Sequence, residues 1–141
     1  MIKNLADYFL PQQEYYLEEI SYNRIDKQGS ASEYSLNCID KIDVEINDDF
    51  VTILVKRTLQ FEPAEIFELT ISFGSILKFH PDMKNDYDWE KIDLAEEFKQ
   101  NGQFVLGNLM NRISLLIAEI TASFGQPPFI LPPRIAPNNM S

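Results

Sequence analysis

The longest apolar pattern in the chain occupies residues 104–124. Its apolar side chains recur at helical spacing, at Leu106, Leu109, Met110, Ile113, Leu116, Ile117, Ile120 and Phe124. This spacing predicts an α-helix with one broad apolar face. Gly125 follows where a helix end favours a positive φ, and Pro127 and Pro128 prevent the helix from continuing.

This helix is more apolar than one buried stripe requires, because Phe104, Val105 and Leu115 widen the apolar face. The segment is long enough to span a bilayer, but Arg112 and Glu119 near its middle would be costly in hydrocarbon. We therefore expect no membrane insertion. Instead, we predict a helix that packs on a sheet with one side and on other helices, including those of another subunit, with the other.

The second apolar side predicts an oligomer interface along the helix. Gly107 would let another helix approach closely, and Asn108 or Asn111 would fix its register by hydrogen bonding. The interface residues that we predict are Gly107, Leu109, Asn111, Ile113, Leu116 and Ile120. We expect this helix to be an oligomer interface first and a core element second.

Four segments that precede the helix predict β-strands. The first, residues 14–23, is rich in Tyr and Ile and places apolar groups on both faces. The other three alternate between apolar and polar positions, as half-buried strands do, and occupy residues 34–46, 50–61 and 66–79. Asp40 interrupts the apolar face of the second segment, and Gly74 in the fourth predicts a bulge or bend.

The connections between these strands indicate the fold class. Residues 47–49 and 62–65 have turn composition, so the strands form an antiparallel meander or a close variant of it. One face of this sheet needs cover, and the long helix is the only large apolar element left to provide it. The predicted class is therefore α+β, a four-stranded antiparallel sheet covered by one long C-terminal helix.

The remaining segments divide the chain. Residues 1–13 predict a short amphipathic helix or an arm that docks on the body, with Pro11 as a stop. Residues 24–32 predict a loop, and residues 80–102 predict a long acidic connection with a helical turn or two at 93–100. We therefore predict an N-terminal arm at 1–13, one α+β domain at 14–133 and a flexible tail at 134–141.

Composition narrows the class of function. The chain has 141 residues, of which 45% are hydrophobic, and this is typical of one globular domain. Its net charge of −10 argues against nucleic acid and anionic membrane surfaces, which attract Lys and Arg, and favours basic partners. The single cysteine excludes an internal disulfide framework, and no secretion signal is visible at the N-terminus, so we expect a cytoplasmic protein.

Residues with catalytic chemistry are few. The single cysteine, Cys38, falls on the inward face of a predicted strand, where we expect a structural role rather than a nucleophile. The single histidine, His80, follows a strand, and we prefer an exposed loop histidine to a general base. The sequence has neither a G-x-S-x-G motif nor a Gly-rich phosphate loop. We therefore predict that the protein is not an enzyme and has no cofactor.

An acidic run in the long connection invites a calcium hypothesis. Asp82, Asp86, Asp88 and Glu90 alternate with other residues, as oxygen ligands do in calcium loops. Counted from Asp86, however, the position that needs glycine is Lys91. We therefore expect a solvated acidic loop and no metal site.

Aromatic residues outside the predicted core faces carry the main binding hypothesis. Some of them will be buried, and the others would form exposed apolar grooves suited to an extended peptide. An acidic rim around such grooves would attract basic, unfolded segments. The client-binding residues that we predict are Tyr16, Tyr22, Tyr87, Trp89, Phe129 and Ile130.

Two stretches resemble a known family. Residues 18–23 read Glu-Glu-Ile-Ser-Tyr-Asn, and residues 104–133 combine the long helix with a Gly-x-Pro-Pro-x-x-Leu-Pro-Pro exit. With the strand order, they resemble the SecB export chaperones and the broader SecB-like domain over residues 14–133. The resemblance implies a homotetramer, a dimer of dimers, that acts as an ATP-independent holdase for unfolded chains. It also implies transfer of clients to the SecA motor in export members, and protection of an aggregation-prone antitoxin in toxin–antitoxin members.

The chain departs from the export members at several positions. Their first-strand motif uses two acidic positions to dock the motor; Glu19 matches one of them, and Asn23 replaces the other. Glu68 lies only near the acidic position of the last strand, and we expect no counterpart of the second helix and basic tail of export members. Our first hypothesis is a SecB-like holdase that binds unfolded or extended polypeptide, with protein export as its candidate pathway and Glu19 as the residue that docks a basic partner. The alternative is an adaptor or assembly protein that binds one specific partner such as an antitoxin.

Overall fold

The sheet and its covering helix follow the predicted class. The computed structural model describes residues 2–25, 34–64, 66–125 and 127–136. The strands are β1 (Phe9–Ile25), β2 (Ser35–Asn47), β3 (Phe50–Glu62) and β4 (Ile66–Phe79), and the helices are α1 (Leu94–Asn101) and α2 (Gln103–Ala122). Short 3-10 turns lie at Leu5–Tyr8, Lys84–Asp86 and Trp89–Lys91. The prediction of an α+β fold with a four-stranded antiparallel sheet and a long C-terminal helix is confirmed.

The strand order is β1-β4-β3-β2, and every neighbouring pair is antiparallel. β2, β3 and β4 form the predicted meander, whereas β1 pairs with the last strand and completes the sheet from the other side. β1 and β2 are therefore the edge strands in the part of the chain that the structure describes. The prediction of a loop at residues 24–32 is wrong for Arg24 and Ile25, which belong to β1, and residues 26–32 lie outside the described residues.

One face of the sheet, the covered face, packs against α2, which lies over β4 and β3. Seven side chains of α2 are buried: Val105, Leu106, Leu109, Met110, Ile113, Ile117 and Thr121. Leu109 and Ile113 have no exposed surface within the single chain. We predicted that this helix would be an oligomer interface first and a core element second. For Leu109 and Ile113 that prediction is wrong, because both side chains are buried in the core and have no free surface for another chain.

α2 ends where the glycine and the prolines predict. Its last residue is Ala122, and Gly125 has a φ of 78°. The helix is long and apolar enough to cross a bilayer by length and composition, a property that core helices of soluble proteins share. One side of it packs on the sheet, whereas Leu115 on the other side is 69% exposed.

The N-terminal arm is part of the core. Its buried residues are Ile2, Leu5, Tyr8 and Phe9, and the backbone N–H of Ile2 donates to Glu97 Oε1 at 2.6 Å. β1 starts at Phe9 and continues through Pro11, contrary to the predicted stop. A proline fits here because β1 is an edge strand and its register with β4 shifts between Phe9 and Gln13.

A bulge in β1 explains why its sequence places apolar residues on both predicted faces. The register with β4 shifts between Leu17 and Glu19, so an extra residue enters the strand. Before the bulge the covered face carries Tyr15 and Leu17, and after it the same face carries Ile20, Tyr22 and Arg24. The bulge therefore places the residues named before it and those named after it on the same face of the sheet.

We predicted a bulge or a bend at Gly74, and the bulge is wrong, because the register of β4 with both neighbouring strands runs unbroken through this residue. The glycine is required on the open face of the sheet, opposite α2, where the ring of Tyr16 lies directly against it. A Cβ at position 74 would stand 2.2 Å from the Tyr16 ring. Tyr16 therefore packs on the sheet itself.

Candidate functional site

A concave apolar surface of about 860 Å³ lies where β1 and β3 end, β4 begins and α2 ends. We call it the aromatic groove, and its rings belong to Tyr22, Phe61, Phe67, Phe124 and Phe129. The other residues that line it are Arg24, Ile66, Thr121, Pro127 and Pro128. The strands supply its floor, and the end of α2 and the chain that follows supply its walls.

Phe67 lies at the centre of these rings. Its ring centroid is 5.1 Å from that of Phe61, 5.4 Å from Phe124, 5.6 Å from Tyr22 and 6.0 Å from Phe129. These spacings are those of favourable edge-on and stacked ring contacts. Phe67 is 4% exposed, whereas Tyr22 is 42% and Phe124 is 39% exposed. The groove therefore has a packed floor and rims whose apolar rings are open to solvent.

The chain after α2 forms one wall of the groove, and we call residues 127–136 the strap. The backbone N–H of Phe129 donates to the Thr121 hydroxyl at 2.8 Å. That hydroxyl in turn donates to the Ile117 carbonyl at 2.7 Å. A buried threonine near the end of α2 thus holds the strap where Phe129 enters the groove.

A buried ion pair anchors the far half of the strap. Arg57 Nε–H and Nη2–H donate to the two carboxylate oxygens of Asp40, each at 2.8 Å, from opposed positions of β3 and β2. Arg57 also donates to the carbonyls of Pro132 at 3.1 Å and Arg134 at 2.8 Å. Asp40 accepts the backbone N–H of Ala136 at 2.6 Å. Both members of the bidentate pair therefore also make hydrogen bonds to the strap.

The strap corrects the predicted C-terminal boundary. The prediction of a flexible tail from residue 134 is wrong for residues 134–136, which are bonded to the buried pair; residues 137–141 lie outside the described residues. The sequence held a signal for this anchor. Asp40 and Arg57 each interrupt an apolar row, and the two-residue turn at Asp48 and Asp49 places them opposite each other.

Burial and the charge of Asp40 together shift the pKa values of Arg57 and Cys38 next to the strap. Burial opposes the charged form of Arg57, but the hydrogen bonds and attraction of Asp40 outweigh it and raise the Arg57 pKa above its ordinary value. Burial also raises the pKa of the Cys38 thiol, and the charge of Asp40 raises it further. Cys38 is half-buried and lines a small pocket together with Leu131 and Pro132 of the strap. This environment favours the predicted structural role over that of a nucleophile.

A second concave surface, the β2 cleft, has a volume of about 460 Å³ and lies between β2 and the segment around the start of α1. Its floor is apolar and consists of Ile42, Val44, Ile46, Trp89, Ile92 and Leu94. Its rim carries the carboxylates of Asp43, Glu90 and Asp93. The β2 cleft thus has the acidic rim that the sequence predicts around a client groove, and the lining of the aromatic groove does not.

The predicted client-binding residues lie in separate places. Tyr22 and Phe129 line the aromatic groove, and Ile130 is exposed beside Phe129 on the strap. Tyr16 lies on the open face of the sheet, against Gly74, and so cannot contact a ligand in the groove. Half of the predicted set is therefore brought together by the fold, at the groove and its strap.

A closed aromatic cluster occupies the other end of the covered face. Its rings belong to Tyr8, Phe9, Phe79, Tyr87, Trp89 and Phe98. Trp89 is 6% exposed, lies 5.0 Å from the Phe79 ring and donates its indole N–H to the Lys84 carbonyl at 2.7 Å. Trp89 is therefore mainly a core residue, contrary to the predicted client contact, whereas Tyr87 is exposed.

Glu19, predicted to dock a basic partner, lies on the open face of the sheet. Its carboxylate is 3.4 Å from Lys56 Nζ, and both side chains are partly exposed. The two residues flank Ser72 of β4 from the neighbouring strands. A basic partner at Glu19 would therefore compete with the ammonium group of Lys56.

The other predicted interface residues of α2 differ in exposure. A Cβ at Gly107 would meet nothing within 4 Å, and Asn111 is exposed. Leu116 and Ile120 are half-buried and pack against the core. Gly107 and Asn111 thus have free surface within the single chain, and their role at an oligomer interface stays a prediction.

The sequence prediction missed Phe61, Phe67, Phe124 and Arg24 as groove residues. Phe61 and Phe67 lie in predicted apolar rows, and alternation does not distinguish a ring at the end of a covered face from one in its middle. Phe124 gave a usable signal, because it continues the apolar stripe past the end of α2. Arg24 fell in a predicted loop because the bulge in β1 hid the continuing strand.

The groove has the chemistry of a binding surface. Its rings and prolines offer apolar contact, and the Thr121 hydroxyl is engaged with the backbone. His80 lies at the far end of β4, where its Nδ1 accepts the backbone N–H of Asp82 at 3.2 Å. Among the described residues, no group of three or more His, Cys, Asp or Glu side chains is arranged to hold a metal ion.

Comparisons with known proteins identify the fold. No model of a known protein family matches the sequence, and no curated protein matches it. Among solved structures, the chain is similar to the Rv1957 SecB-like chaperone of Mycobacterium tuberculosis in complex with a ChAD peptide from the Rv1956 HigA1 antitoxin. That match has a TM-score of 0.67 at 14% identity and covers 91% of this chain and 88% of the other. The fold of this chain is therefore SecB-like.

A protein of unknown function from Streptococcus agalactiae also matches, at 10% identity and a TM-score of 0.45. The match covers 86% of this chain and 95% of that one. A likeness this weak adds no argument about function.

Proposed function

We propose that this chain is a SecB-like chaperone that binds extended or unfolded polypeptide in the aromatic groove and works without ATP. The observation that carries the proposal is the exposure of Tyr22 and Phe124 beside the packed ring of Phe67. A contiguous patch of open rings is typical of a binding surface. A SecB-like neighbour that holds an antitoxin peptide supports a peptide as the ligand.

The groove suits apolar segments of many sequences. Aromatic rings and prolines offer broad apolar contact without the directional bonds that would require one particular side chain. An unfolded chain exposes apolar side chains that a folded chain buries. Binding in the groove would therefore shield such segments from aggregation, and the proposal includes no catalytic step and no cofactor.

The β2 cleft would extend the path of a long client. It opens on the covered face at the opposite edge of the sheet, and its apolar floor is rimmed by carboxylates. Segments that carry both apolar and basic residues would suit it, because the rim attracts cations while the floor takes apolar side chains.

We also propose that the protein assembles in the cytoplasm as a homotetramer, a dimer of dimers. Leu17 and Ile20 on the edge strand β1 and Leu115 on α2 are exposed apolar side chains outside the aromatic groove. Their exposure on the single chain supports burial against further copies. The solution mass of the purified protein tests this part, and a stable monomer would contradict it.

A second candidate function is that of an adaptor for one specific partner, such as an antitoxin. The strap favours it, because the hydrogen bonds of Arg57 and Thr121 hold one wall of the groove in a single arrangement. A pre-organised wall selects among ligands more sharply than a mobile one does. In a pull-down from cells, one stoichiometric partner would favour the adaptor, and a mixture of unfolded chains would favour the general chaperone.

Delivery of clients to the SecA motor has less support. Glu19, the candidate docking residue, is paired with Lys56, and Asn23 stands at the other acidic position of the motif. Co-sedimentation of the purified protein with SecA tests this branch, and Glu19→Gln should abolish any binding that uses this face.

Tyr22 and Tyr87 make a matched pair for the central experiment, because they are 42% and 41% exposed and lie in different regions. Tyr22→Ala removes a ring from the groove, and Tyr87→Ala removes one from the closed aromatic cluster. We expect Tyr22→Ala to weaken binding of a labelled apolar peptide about tenfold, while Tyr87→Ala leaves the affinity unchanged. Fluorescence anisotropy measures the affinity, and light scattering of a denatured client measures protection from aggregation.

Two results would contradict the proposal. Equal losses of affinity in both variants would show that the groove is not the binding site. A wild-type protein that binds no apolar peptide and protects no client would exclude the chaperone function itself.

A further inference from the structure

The strap lies on the covered face in the way that an extended ligand would. Phe129 and Leu131 are half-buried and pack against the core, whereas Ile130 between them is 75% exposed. Alternate side chains of an extended chain point to opposite sides, so this pattern is that of a peptide laid in a groove. The near half of the strap, residues 127–131, therefore contacts the molecule as we propose that a client does.

Phe129 occupies part of the surface that an aromatic side chain of a client would use. Its ring centroid is 6.0 Å from that of Phe67 and 6.2 Å from that of Phe61. Its backbone N–H donates to the Thr121 hydroxyl at 2.8 Å. Every aromatic residue of an unfolded chain offers a ring and a backbone N–H. A client residue can therefore make the same contacts once Phe129 has left.

The two halves of the strap are held by bonds of different strength. The far half, residues 132–136, is hydrogen-bonded to the buried ion pair of Arg57 and Asp40. The near half is held by apolar contacts and by the neutral hydrogen bond between Phe129 and Thr121. Hydrogen bonds to charged groups are stronger than neutral ones. The near half should therefore leave the groove while the far half keeps its anchor.

We propose that the near half of the strap is an internal competitor of the client and occupies part of the aromatic groove until an apolar segment displaces it. Because the strap is tethered beside the groove, its effective concentration there is on the order of millimolar, and weak contacts suffice to keep it in place. A client must outcompete it, which favours segments with several apolar residues over isolated ones. The inference rests on the proposed peptide-binding function and adds the regulation of its site.

Phe129→Ser tests the competition, because it removes the ring that holds the near half in the groove. We expect it to tighten binding of a labelled apolar peptide about tenfold, since the apparent affinity rises with the fraction of molecules whose groove is free. Ile130→Ser is the matched control, because it removes an apolar side chain from the outer side of the same segment and should cause no tightening. Fluorescence anisotropy measures the affinities, and circular dichroism checks that both variants are folded.

Thr121→Val provides a second route to the same state. Valine has a similar size but cannot accept the N–H of Phe129. We expect binding of the apolar peptide to tighten about threefold, because one neutral hydrogen bond of the strap is lost. This variant keeps every ring of the groove, so it decides the question if Phe129→Ser does not fold.

A peptide with the sequence of the strap is the complementary probe. Labelled Pro-Pro-Phe-Ile-Leu-Pro-Pro, the sequence of residues 127–133, should bind Phe129→Ser about tenfold more tightly than it binds the wild-type protein. Pro-Pro-Ser-Ile-Leu-Pro-Pro is its matched control and should bind both proteins more weakly, because it lacks the ring.

The outcomes separate this inference from the proposed function. Unchanged or weaker binding of the apolar peptide by Phe129→Ser overturns the inference and leaves the chaperone proposal standing, because Phe129 would then be a fixed wall or a client contact. Equal tightening by Ile130→Ser also overturns it, because the site on the inner side of the strap would not explain the effect. Failure of the wild-type protein and of Phe129→Ser to bind any apolar peptide overturns both.

Discussion

The covered face of the sheet carries an aromatic cluster at each end, and the two clusters differ in what lies over them. The closed aromatic cluster lies where β1 begins and β4 ends, and α1, the N-terminal arm and the chain before α1 bury it. The aromatic groove lies where β1 ends and β4 begins, and the end of α2 and the strap form its walls. Similar rings on one sheet thus form core at one end and open surface at the other.

This difference shows that aromatic content alone does not locate a binding surface. The rings pack at similar distances in both places, 5.0 Å between Phe79 and Trp89 and 5.1 Å between Phe61 and Phe67. Among the described residues, what differs is the number of segments that cover them. The long connection after β4 leaves the sheet at the closed end and folds back over it, whereas less of the described chain lies over the opposite end.

Removing one ring from each end should give the largest effects and tests the comparison directly. Phe98→Ala leaves a cavity in the closed aromatic cluster and should lower the free energy of unfolding by about 3–5 kcal/mol. Phe124→Ala should lower it by about 1 kcal/mol, because its ring is already partly exposed. Affinity for an apolar peptide should follow the opposite order, with a loss of about tenfold for Phe124→Ala. Urea unfolding and fluorescence anisotropy measure the two quantities.

Phe98→Leu provides a milder change if the alanine variant does not fold, and it should leave peptide affinity unchanged. Equal losses of stability at Phe98 and Phe124 would show that both clusters are core. The contrast between closed and open ends would then fail.

Asp40→Asn should give the next largest effect, because it breaks the anchor of the strap. The buried guanidinium of Arg57 would lose its charged partner, and the single amide oxygen of Asn could not accept at both positions, from Arg57 Nε–H at one and from Ala136 N–H at the other. We expect the free energy of unfolding to fall by about 3 kcal/mol. We also expect Cys38, which is half-buried beside the strap, to become more accessible, and the rate of its reaction with a thiol reagent across pH measures this change.

The pH profile of the thiol reaction separates two causes of a faster rate, a lower pKa of Cys38 and a more open strap. Burial and Asp40 both raise the pKa of Cys38, so the thiolate should form at lower pH in Asp40→Asn, and the plateau rate at high pH should rise as the strap opens. Asp43→Asn removes the same charge from the outer side of β2 and should change neither the midpoint nor the plateau. An unchanged plateau in Asp40→Asn would mean that the strap is held by other contacts.

Gly107→Ala should give the smallest effect. It tests whether the exposed side of α2 stays open in the assembled protein or is covered by another helix. Nothing within the chain lies near a Cβ at this position, so alanine should stabilise α2 by about 1 kcal/mol. A second helix packed against Gly107 would reverse this sign, because the added methyl group would separate the two helices. Urea unfolding combined with solution mass distinguishes the cases, and a stabilised variant of unchanged mass would argue against an interface at Gly107.

The sequence predicted the elements whose apolar residues recur with one unbroken period. It failed where a bulge interrupts that period and where burial depends on distant segments of the chain. β2, β3 and α2 each have one periodic apolar row, and their predicted positions agree with the structure. In β1 the bulge between Leu17 and Glu19 changes the phase of alternation, so the row that reaches Tyr22 and Arg24 was hidden. The openness of the groove depends on which segments cover each end of the sheet, and local periodicity carries no information about that.

The position of Trp89 has an optical consequence. It is the single tryptophan of the sequence, and it lies in the closed aromatic cluster at the far end of the sheet from the aromatic groove. Its emission therefore reports on the packed end of the molecule and on the β2 cleft, whose floor it helps to form, whereas a short ligand confined to the aromatic groove leaves its surroundings unchanged. A labelled peptide reports occupancy at another wavelength. Folding and binding can thus be followed together in one cuvette, on the unaltered protein.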